Sequence, residues 1–300
     1  MTDKKVSILC ACKDRAEGLN IVIQSWIFHE QVHEVIVVDW SSKKSLNYLT
    51  KISEKIKVVT VKNEKYFNMP QPLNLALSIA EGDHILIMSS DYLLNAYPEY
   101  NFFELFDIDD ESYFCGEISG YNQNEEVLVN SHFLKYLRGA LYVKKDHLLK
   151  IGGYDESFGK YYGNDDGEIE NRLNLLGLKK ITFNTTNCYS MIHLPHSNKK
   201  RYENFESYHE DKSDEIFLRD WLSTRYFTKG EIEWNFEYLM ANRHIVKGQE
   251  FAKKVKNQEI EAGHVCCGLP DLDTYIAETK TKWRVEKLSD QIIFAEKVER

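Results

Sequence analysis

The stretch VSILCACKDRAEGLNIVIQSWIFHEQVHEVIVVD, which runs from Val6 to Asp39, has the pattern of a strand, a helix and a second strand. Residues 6–12 and 34–39 are short apolar runs, and each predicts a buried strand. Between them, residues 16–28 are predicted to form a helix because apolar side chains recur along one face. Those side chains belong to Leu19, Val22, Ile23, Trp26 and Ile27. A strand–helix–strand unit of this kind favours a parallel sheet with helices on its faces.

The same alternation continues to about residue 90. Further strands are predicted at residues 57–61 and 84–88, with a helix at residues 70–80 between them. In sheets of this kind, ligands bind beyond the carboxyl ends of the strands. Three of these ends carry polar segments, which are Lys13-Asp14-Arg15, Asp39-Trp40-Ser41-Ser42 and Ser89-Ser90-Asp91. The sequence therefore predicts a polar ligand site at this edge of the sheet.

A second informative stretch, residues 138–173, contains a Gly-Gly-Tyr-Asp turn followed by a short acidic run. This run opens a predicted helix with an apolar face that consists of Ile169, Leu173 and Leu176. Asp165 and Asp166 lie at the amino terminus of that helix, where they could act as a general base and a clamp for a hydroxyl group. Helix capping explains the same two residues equally well, because the helix dipole favours acidic residues there.

The composition and charge argue against several classes of protein. The chain has 300 residues and a formal net charge of -9, which argues against nucleic-acid binding because nucleic-acid binders need a basic surface. No apolar run reaches the ~18 residues of a membrane span, and the amino terminus lacks signal-peptide character. The six cysteines are scattered without an obvious disulfide framework. We therefore expect a cytoplasmic protein without a transmembrane segment.

The chain divides into two predicted parts. Residues 1–203 carry the alternation and the motifs, and they form the predicted α/β domain. From residue 204 to residue 300 the sequence is charged and helix-permissive, with scattered tryptophans. We predict that residues 204–300 form a mainly helical extension of unassigned purpose.

Three motifs contain the ligands of a metal site without the spacing that such a site requires. His29-Glu30-Gln31-Val32-His33 matches the zinc-protease pattern, but His33 runs directly into a predicted strand, so the histidines straddle a helix end. Placing Gly167 at the sixth position of a calcium loop puts non-acidic residues at the positions that need acids. The cluster His264-Val265-Cys266-Cys267 lacks a second ligand pair at finger-like spacing. Glycine-rich dinucleotide and P-loop motifs are absent as well.

Single polar residues near the strand ends have two interpretations each. Asp91 follows a strand of sequence HILIM, and it could hold a divalent cation that bridges a diphosphate or could cap a turn. Asp39 could accept hydrogen bonds from a uracil or ribose edge, or serve as a turn residue. His193 and His196 precede Lys199-Lys200-Arg201 and would suit metal and phosphate contacts, although each histidine by itself is more often structural or exposed.

Taken together, these residues resemble those of glycosyltransferases of the GT-A fold. The front half resembles family 2 glycosyltransferases, and residues 139–173 resemble the catalytic region of the β-1,4-galactosyltransferases and polypeptide N-acetylgalactosaminyltransferases. The resemblance covers about residues 5–200. It implies a Rossmann-like α/β fold with a mixed, mostly parallel sheet flanked by helices, to which the predicted helical extension is added.

The resemblance implies a set of contacts to the donor nucleotide. Ala11, Lys13 and Arg15 stand where the family reads the nucleotide, and Asp39 stands where its aspartate contacts uracil. The other donor contacts that it implies are Asn74, Ser90, Tyr162, Lys199 and Lys200. Tyr162 replaces the tryptophan that commonly lines the sugar site, and the two lysines could equally belong to a solvated basic patch.

The resemblance also implies a metal site for Mn²⁺ or Mg²⁺. Ser89-Ser90-Asp91 falls on the D-x-D motif with serine in place of the first acid, so that Asp91 would be the metal ligand. His193 matches the late metal-binding histidine, and His196 is close enough in sequence to be the equivalent residue instead. Serine in place of the first acid weakens the affinity for the metal or shifts its coordination shell.

The acidic helix start matches the catalytic motifs of the same enzymes. GGYDESF at residues 152–158 and YGNDD at residues 162–166 match the patterns G-G-F/Y-D-E-x-F and W-G-x-E-D. By that match, Asp166 is the catalytic base and Asp165 orients the acceptor hydroxyl.

We therefore expect an inverting glycosyltransferase of polysaccharide biosynthesis. It would move a galactose-like or N-acetylgalactosamine-like hexose from a UDP-sugar to a hydroxyl of a glycan or other acceptor. The alternative, which Ser89 keeps open, is a non-catalytic nucleotide-sugar or glycan-binding subunit of a polysaccharide-synthesis assembly. Two roles remain open for residues 204–300, which are a contact within a homo-oligomer and a peripheral contact with a membrane.

Overall fold

In the computed structural model of the protein, the residues that the structure describes are 4–95, 102–116, 139–154, 156, 165–181, 191–194, 203–205 and 281–298. Their strands are β1 (Val6–Cys12), β2 (Val32–Trp40), β3 (Ile56–Val61), β4 (His84–Ile87), β5 (Tyr92–Leu94), β6 (Ser112–Cys115), β7 (Leu141–Lys144), β8 (Lys179–Ile181), β9 (Met191–His193), β10 (Trp283–Lys287) and β11 (Ile292–Lys297). Their α-helices are α1 (Ala16–Ile27), α2 (Pro70–Ile79), α3 (Lys145–Lys150) and α4 (Asp165–Leu175). Short 3₁₀ helices in the same residues lie at Asn47–Lys51 and Phe102–Asp107.

The predicted alternation of strands and helices in the first ninety residues is confirmed. The strand predicted at residues 6–12 coincides with β1, and the helices predicted at 16–28 and 70–80 each end one residue earlier as α1 and α2. Nearly every residue of β1 and β2 is buried. The sheet is covered on both faces there, which explains why these strands are continuous apolar runs.

The sheet is mixed and mostly parallel, as the sequence predicts. In the described part of the chain, nine strands form it in the order β10-β11-β3-β2-β1-β4-β7-β6-β8. The parallel neighbours are β1–β2, β1–β4, β2–β3, β3–β11 and β6–β8, whereas β4–β7, β6–β7 and β10–β11 are antiparallel. Because β1 to β4 run in one direction, their carboxyl ends meet along one side of the sheet. We call this side, with residues 13–15, 39–42 and 89–91, the polar edge.

Two apolar layers cover the two faces of the sheet. On one face, Ile8 of β1 packs in the same cluster as Trp26 of α1. On the other face, Leu9 of β1 shares a cluster with Leu73 of α2 and Ile169 of α4. Burial of each such side chain contributes roughly 1.5–3 kcal/mol. The helices that carry the predicted site residues are therefore fixed to the sheet by its own alternating side chains.

The helix predicted after residue 164 is confirmed as α4. Ile169 and Leu173 are buried and Leu176 is half-buried, as its predicted apolar face requires. Gly177, with φ at +91°, follows the helix and provides the left-handed turn that ends it. No helix among the described residues is long and apolar enough to cross a membrane.

The structure agrees with the exclusion of the zinc-protease pattern. His33 lies within β2, while His29 lies in the turn after α1, where its ring stacks on Phe103 at 4.3 Å between centroids. The two histidines therefore do not share the helix face that the zinc chemistry requires.

The prediction of a mainly helical extension is wrong for the part of it at residues 281–298, which we call the C-terminal hairpin. There β10 and β11 pair antiparallel, and β11 joins β3 in parallel. Ile293 and Ala295 of β11 are buried against the sheet, whereas β10 is an exposed edge strand whose charged residues are equally typical of a helix surface. The hairpin thus extends the main sheet, and the domain boundary at residue 203 stays a prediction.

Candidate active site

Asp39 organises the loop that follows β2. Its carboxylate, in a residue that is 2% exposed, accepts hydrogen bonds from the backbone N–H groups of Ser42 and Leu46, each at 3.0 Å. A carboxylate that accepts backbone N–H groups in this way fixes the course of a loop. Each oxygen can accept a further hydrogen bond, so the contact of Asp39 with a uracil or ribose edge stays a prediction.

Lys13 joins the loops that follow β2 and β3. Its Nζ donates hydrogen bonds to the carbonyl oxygens of Trp40 at 3.1 Å, Ser41 at 3.1 Å and Glu64 at 2.9 Å. Burial lowers the pKa of the Lys13 ammonium, and nearby carboxylates oppose that shift. Ala11 precedes it on β1. Lys13 therefore braces the loops around the polar edge, and its contact with the nucleotide, like that of Ala11, stays a prediction.

Arg15, Asp91 and His193 converge at the polar edge. Asp91 is 5% exposed, and its Oδ2 lies 3.1 Å from Nη1 of Arg15 and 3.5 Å from Nε2 of His193. The pairing of β5 with β9 brings residue 193 to this place by setting Tyr92 opposite His193. The backbone N–H of Leu194 also donates to the carbonyl oxygen of Asp91 at 2.8 Å. Three distant segments of the chain thus meet around one carboxylate oxygen.

The first turn of α1 packs closely against the segment that carries Asp91. Gly18 lies in this turn, and a Cβ added there would be 3.1 Å from the carbonyl oxygen of Ser90 and 3.8 Å from the Cβ of Asp91. A larger residue at position 18 would push the two segments apart. The amino terminus of α1 consequently lies beside Asp91, where its partial positive charge favours an anion. The contact of buried Ser90 with the donor stays a prediction.

Asp91 and His193 are the two predicted metal ligands that the structure describes. Ligands at right angles around a hard cation with bonds of about 2.1 Å are about 3 Å apart. The observed separation of Asp91 Oδ2 and His193 Nε2 is 3.5 Å. Among the residues that the structure describes, no group of three or more His, Cys, Asp and Glu side chains is placed to hold a metal. A bound cation would also take diphosphate oxygens and water as ligands.

Helix α4 carries Asp165 and Asp166 at its amino terminus. Asp165 is buried, whereas Asp166 is half-buried. Gly139, with φ at +102°, lies against Asp166, because a Cβ added there would be 3.6 Å and 3.7 Å from the two carboxylate oxygens. Burial raises the pKa of Tyr154 well above its usual value, and the charges of Asp166 and Asp165 raise it further. The predicted base therefore lies against Gly139, which precedes β7, and Tyr154 belongs to the Gly-Gly-Tyr turn, residues 152–154.

Asn74 of α2 holds the Gly-Gly-Tyr turn in place. Its Oδ1 accepts a hydrogen bond from the backbone N–H of Tyr154 at 2.7 Å, and its Nδ2 donates to the carbonyl oxygen of Tyr154 at 2.8 Å. Gly153 has φ at +69°, and a Cβ there would collide with Oδ1 of Asn74. The side-chain amide of Asn74 is thus engaged by the turn, and its contact with the donor stays a prediction.

Four of the predicted site residues, Tyr162, His196, Lys199 and Lys200, lie outside the described residues. Their contacts with the sugar, the metal and the phosphates accordingly stay predictions. The choice between His193 and His196 as the late metal ligand stays a prediction, because only His193 is among the described residues.

Several residues that hold the site together carry little signal of their own in the sequence. Arg172 donates a hydrogen bond to the carbonyl oxygen of Gly153 in the Gly-Gly-Tyr turn, and Glu156 accepts hydrogen bonds from both Asn74 and Thr281. Glu156 is part of the G-G-Y-D-E motif, which was the available signal for a role of this acid. Thr281 gives no such signal, because its partner is 125 positions away in the sequence.

Comparison with known proteins shows the fold. No protein-family model and no curated protein matches the chain. A crystal structure of S. aureus TarS 1–349 in complex with UDP matches it with a TM-score of 0.50 and 15% identity, covering 96% of this chain and 95% of that chain. A mutant Drosophila β1,4-galactosyltransferase 7 in complex with manganese, UDP-Gal and xylobiose matches with a TM-score of 0.46 and 14% identity, covering 98% and 92%. With its mixed sheet and flanking helices, the chain has the GT-A glycosyltransferase fold.

Proposed function

We propose that this protein is an inverting glycosyltransferase. It moves a galactose-like or N-acetylgalactosamine-like hexose from a UDP-sugar to a hydroxyl group of a glycan or other acceptor. The observation that carries the proposal is the convergence of Arg15, Asp91 and His193 at the carboxyl ends of parallel strands in a GT-A fold. The complex of S. aureus TarS with UDP supports the choice of nucleotide, because that protein is similar to this chain over most of its length.

The donor diphosphate binds at the polar edge, beside Asp91 and the amino terminus of α1. Arg15 supplies positive charge there, and the amino terminus of α1 adds a partial positive charge. Asp91 and His193 would hold Mn²⁺ or Mg²⁺, which when bound would neutralise the charge of the departing diphosphate. Asp39 accepts a hydrogen bond from the uracil or ribose while its loop remains braced by Ser42 and Leu46.

Asp166 acts as the general base on the acceptor side. It takes the proton of the acceptor hydroxyl while that oxygen forms a bond to the anomeric carbon. The bond from that carbon to the diphosphate oxygen breaks on the opposite face, so the configuration inverts and UDP leaves. The helix dipole of α4 favours the anionic form of Asp166, which a base requires. Asp166 is also less buried than Asp165, which suits a group that touches the acceptor while Asp165 orients the hydroxyl.

The substitution Asp166→Asn tests this assignment, because asparagine keeps the size of the side chain but cannot accept the proton. We expect UDP release from a panel of UDP-hexoses with glycan acceptors to fall roughly 10²–10⁴-fold. UDP affinity, measured by calorimetry, should be unchanged because the donor half of the site is intact. Glu170→Gln is a matched control on the same helix, since Glu170 pairs with Lys180 at 2.6 Å. Full turnover in Asp166→Asn would overturn the assignment.

The second candidate is a non-catalytic nucleotide-sugar or glycan-binding subunit. Ser89 favours it, because serine in place of the first acid of the D-x-D pattern removes one hard ligand from the metal site. The same panel of nucleotide sugars separates the two functions. Binding of a UDP-sugar without any release of UDP supports the binding subunit, whereas transfer or slow hydrolysis supports the enzyme.

A further inference from the structure

Glu156 joins three parts of the fold. The residue is 8% exposed, and its Oε1 accepts a hydrogen bond from Nδ2 of Asn74 at 3.0 Å. Its Oε2 accepts hydrogen bonds from the backbone N–H of Thr281 at 2.8 Å and from the hydroxyl of Thr281 at 2.5 Å. Both oxygens of a buried carboxylate are therefore engaged, one by α2 and the other by the start of the C-terminal hairpin. Removing either partner leaves a buried charge with fewer hydrogen bonds, which is unfavourable.

The connection continues from Asn74 through the Gly-Gly-Tyr turn to α4. Arg172 of α4 is 2% exposed, and its Nη1 donates hydrogen bonds to the carbonyl oxygens of Ile151 and Gly153, each at 2.6 Å. The same helix begins at the predicted acidic pair, and a helix rises only about 1.5 Å per residue. Because α4 is a short rigid element, a shift of the turn that holds Arg172 also moves Asp166.

The hairpin is anchored to the sheet independently of Glu156. β11 pairs with β3, the ring of Trp283 packs edge-on against Trp40 with centroids 5.7 Å apart, and Lys297 pairs with Glu64 at 2.6 Å. The bonds between Glu156 and Thr281 are therefore not needed to hold the hairpin. Instead, these bonds fix Glu156, and with it the Gly-Gly-Tyr turn, to a strand pair that the sheet already holds.

We propose that Glu156 is a positioning residue for the transfer step. It fixes the Gly-Gly-Tyr turn, and through Arg172 it fixes α4 and the base Asp166, to the C-terminal hairpin. This inference rests on the proposed function, because it concerns the placement of the proposed base. It also makes the hairpin part of the catalytic unit.

The test compares Thr281→Val with Thr281→Ser. Valine keeps the shape of threonine and the backbone N–H but removes the hydroxyl donor to Glu156, whereas serine keeps the hydroxyl. We expect kcat to fall about tenfold in Thr281→Val, because small displacements of a catalytic group have large effects on rate. We expect KM for the UDP-sugar to stay within about twofold, since the residues of the polar edge do not depend on Thr281. Thr281→Ser should retain kcat.

A second pair of measurements separates positioning from loss of folding. Glu156→Gln should lower kcat about tenfold, and adding Thr281→Val to it should lower kcat little further, because both changes interrupt one connection. Amide hydrogen exchange at residues 169–175, whose N–H groups bond within α4, should be faster in Thr281→Val than in Thr281→Ser, with both variants folded by circular dichroism.

Full kcat in Thr281→Val would overturn the inference, as would equal losses in the valine and serine variants. Failure of the proposed function has a different signature, which is the absence of UDP release from the unaltered protein with every donor. In that case, equal hydrogen exchange in the valine and serine variants would overturn the coupling of the hairpin to α4, and faster exchange in the valine variant would support it.

Discussion

Replacing Asp39 with asparagine removes one of the two acceptor oxygens that hold the loop after β2. The carboxylate accepts the backbone N–H groups of Ser42 and Leu46, each at 3.0 Å, whereas a side-chain amide has one acceptor oxygen. Because Leu46 is fully buried, we expect the oxygen of the asparagine side chain to keep the hydrogen bond from the Leu46 N–H. The NH₂ group of the asparagine then faces the N–H of Ser42. A hydrogen bond to a charged group contributes about 1.5–3 kcal/mol, and an unsatisfied buried donor costs about 1–3 kcal/mol.

These two contributions overlap, because Ser42 is half-buried and its N–H can reach water. We therefore expect Asp39→Asn to lower the free energy of unfolding by about 2 kcal/mol, and Asp39→Ala, which removes both acceptors, by about 4 kcal/mol. Urea denaturation followed by tryptophan fluorescence measures both values, and the adjacent Trp40 is a buried reporter.

Asp14→Asn is the matched control for this experiment. Asp14 accepts one backbone N–H, that of Lys43 at 2.7 Å, in an exposed position, and the amide oxygen can keep that bond. We expect its free energy of unfolding to change by less than about 0.5 kcal/mol. Equal stabilities of Asp39→Asn and Asp14→Asn would refute the reasoning that the Asp39 carboxylate organises the loop.

Two further predictions concern the metal and pH. Asp91→Asn should weaken Mn²⁺ binding in the presence of UDP at least about tenfold, and Ser89→Asp, which adds a hard ligand, should strengthen it. Titration followed by electron paramagnetic resonance measures both affinities, and an unchanged value in Asp91→Asn would exclude Asp91 as a ligand. Asp110→Asn should destabilise the protein at about pH 7 and have little effect at about pH 2. The hydrogen bond from Lys144, together with nearby His84, lowers the pKa of Asp110 from 3.8 to about 2. Because the pKa is lower in the folded state, the carboxylate stabilises the fold above the unfolded-state value of 3.8, and this contribution is lost as pH falls towards 2. The side chain is 41% exposed, so solvent screening limits the difference to less than about 1 kcal/mol; urea midpoints at the two pH values measure it, and a difference independent of pH would contradict the assignment.

The parallel half of the fold is predictable from the sequence because burial on both faces leaves long apolar runs. β1 and β2 and the helix between them are confirmed to within two residues at either end. β5 and β9 have three residues each, which is too few for any periodicity to be recognised. The meeting of Asp91 with His193 depends on that pairing, so it could be expected from a family resemblance but not from spacing.

The C-terminal hairpin could not be predicted for a different reason. The charged residues of β10 are exposed at the edge of the sheet, and a polar edge strand has no alternation between a buried and an exposed face. The alternation that is present lies in β11, which pairs with residues of β3 that are 234 positions earlier in the chain, with Ile292 opposite Val58 and Ala295 opposite Val61. The position of Asp165 and Asp166 at the start of α4 could be predicted, because local spacing alone indicates a helix amino terminus there.

The position of β11 beside β3 has a consequence for the order in which the chain is made. On the ribosome, β3 emerges more than two hundred residues before its parallel neighbour, since Ile292 pairs with Val58. Until then, one side of β3 has backbone N–H and C=O groups without the strand that covers them in the finished fold, and open strand edges of this kind promote association between chains. Gln291 completes the closure by donating from its Nε2 to the carbonyl oxygens of Thr50, Ser53 and Ile56 at 3.2, 2.9 and 2.9 Å. Completion of the sheet therefore has to wait for residues 292–297, so nascent chains that end before residue 292 lack the strand that covers this side of β3.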